Sequence, residues 1–206
     1  QYANLGFPVL IEGESGSGKD IVASRCLHQM TERQQQPFLA LNCAAISPNL
    51  LEPTLFGHAR GAFTGAVADR TGLIESGSHG TVFLDEIGDL PANLQAKLLR
   101  VLEAGEVRAV GSTQQRKVNV RFIAATNQNL EERVREGTFR RDLYYRLAVV
   151  SIPVPPLRER PEDVLPLAER FLRQSGTGRK RLSPAAQALL CAYAGPGHLR
   201  ELPNAA

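Results

Sequence analysis

Val9-Leu10-Ile11-Glu12-Gly13-Glu14-Ser15-Gly16-Ser17-Gly18-Lys19-Asp20 is the stretch from which the architecture of this chain can be read. Val9-Leu10-Ile11 is a short apolar run of the kind that forms a buried strand. Gly13 to Lys19 fit the pattern G-x-x-x-x-G-K, and Asp20 to Met30 read on as a helix. Strand, glycine loop and helix in that order are the context a phosphate-cradling loop requires. Backbone N–H groups of the loop and of the helix start face the anion, where the helix dipole favours negative charge. Lys19 adds a point charge for the outer phosphates of ATP, so Gly13, Glu14, Ser15, Gly16, Ser17, Gly18, Lys19 and Asp20 are the expected nucleotide-binding residues. A Ser or Thr commonly follows the lysine and helps hold Mg²⁺. Here that position is Asp20, which leaves the magnesium ligand set open, with Asp20 itself a candidate.

The pattern repeats outward from this loop. Phe38-Leu39-Ala40-Leu41 reads as a second strand ending at Asn42, Val82-Phe83-Leu84 as a third, Val120 to Ala125 as a fourth and Ala148 to Ile152 as a fifth. Between the third and fourth, Pro91 opens a helix with Leu94, Leu98, Leu99 and Leu102 at helical spacing. Strands separated by helical segments predict an α/β fold, a parallel sheet with helices on its faces. Phosphate ligands then sit at the carboxyl ends of the strands. At Pro153-Val154-Pro155-Pro156 the composition changes. Proline cannot donate to a sheet ladder and restricts its predecessor, so the expected boundary lies here, with an α/β domain over 1–154 and a small helical lid over 155–206. One lid helix begins near Pro161-Glu162-Asp163 and runs through Leu167 and Phe171. A second has Ser183 as N-cap and Pro184 in its first turn.

Composition narrows the setting. With 24 Lys+Arg against 21 Asp+Glu the net charge is +3, too little to argue for nucleic-acid binding. The one contiguous basic run, Arg179-Lys180-Arg181, reads as solvated surface. Three widely spaced cysteines without CxxC spacing indicate a reducing compartment, and the four histidines lack metal-ligand spacing. No run approaches the roughly 20 apolar residues of a membrane span, and no signal peptide precedes the first strand. The expectation is a soluble cytoplasmic protein without a membrane partner.

Two further constellations bear on chemistry. Asp85-Glu86 ends the apolar run Thr81-Val82-Phe83-Leu84. The first acid can polarise a magnesium shell, directly or through water, since Mg²⁺ prefers oxygen ligands and keeps waters; the second can align and deprotonate an attacking water. Asn127, after the fourth strand, is placed to orient the same water. Asn42 would reach Glu86 if the second and third strands are neighbours. Arg140-Arg141-Asp142-Leu143-Tyr144-Tyr145-Arg146 is dense in guanidinium groups. Arginine commonly meets charge developing on a transferring phosphoryl group, sometimes from a partner protein; a surface helix with internal ion pairs would read the same way. Between the two phosphate-handling motifs stands Gly61-Ala62-Phe63-Thr64-Gly65-Ala66, a flexible loop with an aromatic and a hydroxyl at its tip. Such a loop on an ATPase suggests a motor that pushes on a protein.

With these residues in place, the chain resembles the central ATPase domain of bacterial sigma-54-dependent transcriptional activators, a branch of the AAA+ superfamily, from about Val9 to Asn204. GAFTGA, residues 61–66, is the most specific of the shared motifs. The resemblance implies a ring of six or seven copies that hydrolyses ATP with Mg²⁺ and remodels the sigma-54 RNA polymerase closed complex, with residues 61–66 contacting sigma-54. It implies Asp85 and Glu86 as the second acidic motif, Asn42 as a glutamate-switch asparagine and Thr126-Asn127 as a first sensor. Arg140 and Arg146 match the trans-acting arginines, and Glu106 to Lys117 a second pore loop. The lid motif reads Gly195-Pro196-Gly197-His198-Leu199-Arg200-Glu201-Leu202, keeping Arg200 as sensor while the family's Trp and Asn are absent. DNA contact is expected only through a domain absent from this chain, which looks like an excised or truncated piece. Two other readings are a nucleotide-dependent scaffold that binds sigma-54 without turnover, and a different AAA+ remodelling ATPase.

Overall fold

A computed structural model describes residues 6–174 and 182–192. The chain divides into two compact units, one of Gln1–Glu12 with Asp20–Ile152 and one of Gly13–Lys19 with Pro153–Ala206. The second grouping could not be foreseen from the proline run alone, because it takes the phosphate loop away from its flanking strand and joins it to residues some 140 positions later.

The first unit is built on a five-stranded sheet. Its strands are β1 (Val9–Glu12), β2 (Phe38–Asn42), β5 (Thr81–Asp85), β8 (Arg121–Thr126) and β9 (Val150–Pro153), in the order β2-β5-β8-β1-β9. The intervening β3 (Gly57–His58), β4 (Arg70–Thr71), β6 (Glu106–Arg108) and β7 (Gln115–Lys117) form two small antiparallel hairpins. In the main sheet β2 runs parallel to β5, β5 to β8 and β8 to β1. The expected parallel α/β sheet is therefore present. The register sets Leu10, Ala124 and Leu84 in one row and Val9, Ile123 and Phe83 in the next. All six are buried, and since successive strand residues face opposite sides, both faces of the sheet are covered, as a parallel sheet requires.

Helices supply that cover. They are α1 (Lys19–Ile21), α2 (Pro48–Phe56), α3 (Leu73–Ser76), α4 (Ala92–Ala104), α5 (Leu130–Arg135) and α6 (Arg141–Leu147). Leu94, Leu98 and Val101 of α4 are buried, in one cluster with Leu10, Leu84, Ala124, Leu143 and Leu147. Pro91 caps α4 and Gly105 ends it at φ 65°, in the left-handed region. The predicted helix from Asp20 differs in kind. After α1 the chain continues as a π-helix over Val22–His28, with Gln29 donating to the Ser24 carbonyl at 3.0 Å. Ser24 Oγ donates to the Asp20 carbonyl at 2.8 Å, and a serine bonding back to its own helix competes with the regular ladder. Arg121 Nη1 donates to Leu27 O at 2.5 Å near the end of this segment.

In the second unit the prolines lead to 3₁₀ turns at Leu157–Glu159 and Pro161–Asp163, then to α7 (Val164–Gln174) and α8 (Pro184–Ala192). Ser183 Oγ accepts from the Ala186 N–H at 3.2 Å, the expected N-cap. Arg179-Lys180-Arg181 and the motif 195–202, Arg200 included, lie outside the described residues.

Candidate functional site

β1 closes at Glu12 and β5 at Asp85, on the same carboxyl edge of the parallel sheet; the loop Gly13–Lys19 follows Glu12 in the chain. Gly16 and Gly18 have φ of 80° and 96°, angles that cost side-chain-bearing residues and that turn successive N–H groups toward one side. Lys19 is buried, and its amine donates to the carbonyls of Gly13 (2.9 Å) and Glu14 (3.1 Å). Ser17 Oγ is buried without a protein partner. An orphaned hydroxyl, left-handed glycines and a buried lysine on one loop fit a phosphate chain.

The rest of the second unit holds this loop. A Cβ on Gly13 would meet the Val154 carbonyl at 2.6 Å. Arg158 grips the Glu14 carboxylate with two donors, at 2.5 and 2.7 Å, and Arg160 Nη2 donates to the Ser17 carbonyl at 2.5 Å. Sequence reading had assigned nothing to these arginines; the only local signal was their alternation with Glu159 directly after the prolines.

In the first unit, β2 and β5 pair in the register Asn42 to Asp85. The Asn42 amide accordingly donates to Asp85 Oδ2 at 3.2 Å, while its oxygen accepts from the Ala44 and Ala45 N–H groups. The partner of Asn42 is thus Asp85 and not Glu86. Glu86 is turned out of register by a left-handed backbone (φ 50°, ψ 50°), which a side-chain-bearing residue rarely adopts and which concentrates at functional sites. Its carboxylate accepts from the Asn127 backbone N–H at 3.2 Å, so acid and expected sensor do meet. The acids leave an electrostatic mark: burial first, and then Asp85, Asp89 and Glu86, push the Cys43 thiol up to about 12. Asp20 is exposed. No cluster of three or more His, Cys, Asp and Glu among the described residues could hold a metal. Asp85 would offer the oxygen donor that Mg²⁺, which prefers oxygen and keeps waters, accepts.

The arginines lie on α6. Arg140 is its N-cap and forms two hydrogen bonds with Asp142, Nε to Oδ1 at 3.0 Å and Nη2 to Oδ2 at 2.7 Å. That pairing holds Asp142 below the usual carboxylate range. Arg146 donates to the Leu102 carbonyl, in the last turn of α4, at 3.1 Å. Both are exposed.

GAFTGA sits between the hairpin strands β3 and β4. Gly61 N donates to Ala66 O at 2.8 Å and Ala66 N to Phe63 O at 3.0 Å, closing a compact tip. Phe63 is 41% exposed and Ala66 is buried, so Ala66 supports the tip from within rather than offering surface. The Phe63 ring meets the His58 ring edge-on, centroids 5.0 Å apart, a contact not foreseen. The loop carrying β6 and β7 lies against it, a Cβ on Gly111 being 2.7 Å from that of Ala62.

A phosphate loop, an acid pair at the end of the central strand β5 of a β2-β5-β8-β1-β9 sheet and a small helical unit define a nucleotide-binding protein of the AAA+ P-loop class. The sigma-54 interaction domain matches residues 1–153 and the AAA+ ATPase lid domain residues 158–206. The chain belongs to the sigma-54 interaction domain family. It is 53% identical over 204 residues to the nitric oxide reductase transcription regulator NorR2 of Cupriavidus necator, covering 97% of this chain and 39% of that one. With the sigma54-dependent transcriptional activator SfnR of Pseudomonas putida it shares 52% over 208 residues, 99% of this chain and 57% of that one. The chain thus spans roughly half the length of these relatives. A crystal structure of NtrX from Brucella abortus in complex with ADP superposes with a TM-score of 0.88 at 39% identity, over 98% of this chain and 45% of that one. No helix among the described residues is long and apolar enough to cross a membrane.

Proposed function

We propose that this chain is the ATP-hydrolysing motor of a sigma-54-dependent activator, transmitting force to sigma-54 and its RNA polymerase holoenzyme through GAFTGA. The carrying observation is a strained Glu86 whose carboxylate meets the backbone beyond β8, in a chain that also carries a phosphate-fitting loop. ATP is the substrate. Gly13 to Lys19 bind its phosphates, Lys19 exchanging its loop carbonyls for phosphate oxygens. Asp85, with Asp20 a second candidate, would hold Mg²⁺ through oxygen, and the ion would supply charge neutralisation for the phosphates. Glu86 accepts the proton of the attacking water, which Asn127 orients, and Asn42 holds Asp85 in place. Arg140 and Arg146 serve the nucleotide of the neighbouring copy in a hexameric or heptameric ring, and Arg200 senses the nucleotide from the lid, 155–206. Phe63 and Thr64 provide the sigma-54 contact. The site is a cytoplasmic one, and DNA is reached only through another domain.

Lys19→Ala removes the loop's only cation. Charged hydrogen bonds contribute about 1.5–3 kcal/mol each, so affinity for a fluorescent ATP analogue falls at least about 10-fold. Glu86→Gln keeps shape and binding but loses the base, slowing turnover by about 10²–10⁴-fold. Equal loss of binding in the two variants would end this division of roles.

A further inference from the structure

Gln95 is a polar residue on the buried stripe of α4, and it is 1% exposed. Its side chain is fully committed. Nε2 donates to the Leu90 carbonyl at 2.8 Å and to the Thr138 carbonyl at 3.2 Å, and Oε1 accepts from the Arg140 backbone N–H at 2.8 Å. One side chain therefore joins the turn after Asp85-Glu86, five residues before it, to the link 138–140 that leads into and caps α6, more than 40 residues after it.

The connection closes on itself. Arg133 Nε donates to Thr138 Oγ1 at 3.1 Å, and Arg133 Nη1 donates to Gln128 Oε1. Gln128 Nε2 donates to Asp89 Oδ1 at 2.8 Å, and Asp89 is the neighbour of Leu90. Gln128 follows Asn127, and Asp89 N donates to the Glu86 carbonyl at 3.0 Å. The circuit thus includes the segment of the general base, the end of the sensor strand and the backbone of Arg140. The Gln95 to Leu90 bond is buried, where a satisfied polar group helps to fix one arrangement, while the Gln128–Asp89 and Arg133–Thr138 links lie at the surface.

We infer that Gln95 is a positioning residue for the reaction: it sets where α6 begins, and with it where Arg140 is presented, relative to the turn that carries Glu86. The inference rests on the reading of Arg140 as a residue that serves a neighbouring copy's nucleotide. Gln95 touches neither substrate nor reacting atoms. It acts by fixing the backbone from which the guanidinium projects. A displacement of about 1 Å in such a group can cost about 10²-fold in rate.

Gln95→Met keeps the volume and removes every hydrogen bond of the side chain. Thr138→Val, at an exposed position, opens the same circuit at the Arg133 link without disturbing the core. Expected for Gln95→Met is a fall in kcat of about 10²-fold with the affinity for a fluorescent ATP analogue unchanged, and a smaller fall in kcat for Thr138→Val. Hydrogen exchange of the peptide carrying the Arg140 amide should accelerate in Gln95→Met. Mixing gives the sharper readout. A Lys19→Ala subunit retains a correctly placed Arg140, so it should restore phosphate release when mixed with Gln95→Met, and likewise when mixed with Arg140→Ala. Rescue of Arg140→Ala but not of Gln95→Met would overturn the inference while leaving the trans reading intact. Full activity of Arg140→Ala alone, or no rescue of it, would defeat the trans reading and the inference with it. Wild-type kcat in a folded Gln95→Met protein would overturn the inference directly.

Discussion

Glu12 closes β1 one residue before the phosphate loop, in register with Thr126, and its carboxyl is pushed up, by burial first and then by Glu131. Glu131 in turn accepts from Tyr144 Oη at 2.9 Å, and burial together with this bond pushes the tyrosine up to about 12. A carboxyl raised on folding favours the protonated form, so its contribution is most stabilising at low pH and is lost as pH rises through the folded value. Glu12→Gln, uncharged throughout, should melt higher than the parent at neutral pH. The difference should shrink as pH falls from the raised folded value towards the ordinary carboxylate value, and thermal melts of both proteins over that interval check it. At this scale much of the site was legible. Lys19, Asp85, Glu86 and Asn127 sit in motifs whose residue types state their chemistry. The partner of Asn42 was not legible, because it depends on the left-handed turn at Glu86, which no residue type announces. Arg158 and Glu14 lie 144 residues apart, and a contact of that separation leaves no trace in local spacing.

The elements divide along the same line. The strands of the main sheet were readable because apolar runs bounded by turn residues are a strong signal, and α4 because its leucines repeat at helical spacing and Pro91 marks its start. β3 and β4 are two residues each, too short for any period. The π-helical turn at Val22–His28 goes with a serine hydroxyl that bonds back to the preceding turn, a choice that residue type alone does not announce. Sequence reading passes over Gln95, although it falls beside Leu94 on the apolar stripe of α4, and only its burial shows that it matters. The hairpin carrying GAFTGA is separate from the main sheet, and this independence has a consequence. Phe63→Ala and Thr64→Ala should each leave ATP hydrolysis within about twofold, since distant independent sites usually couple by no more than about 0.5 kcal/mol. Both should weaken co-migration with sigma-54 in the presence of an ATP transition-state analogue. Undiminished co-migration of both variants would remove the tip from the contact surface.

For the whole molecule, the arginines bear on how many copies act together. Arg140 is bound to Asp142 and Arg146 to the end of α4, and both are exposed, where a second copy of the chain can present its nucleotide to them. An arginine supplied in trans can contribute about 10³–10⁵ in rate, so if the proposed trans role holds, an isolated copy should retain almost none of the activity. A scaffold that binds sigma-54 without turnover would not depend on these groups. Phosphate release per mole of protein, measured across a dilution series with and without sigma-54, tests the account most directly. It predicts a specific activity that is close to zero in dilute protein, climbs steeply with concentration and levels off once rings have formed. A specific activity that is the same at every concentration, or absent at all of them in protein that binds ATP, would contradict it.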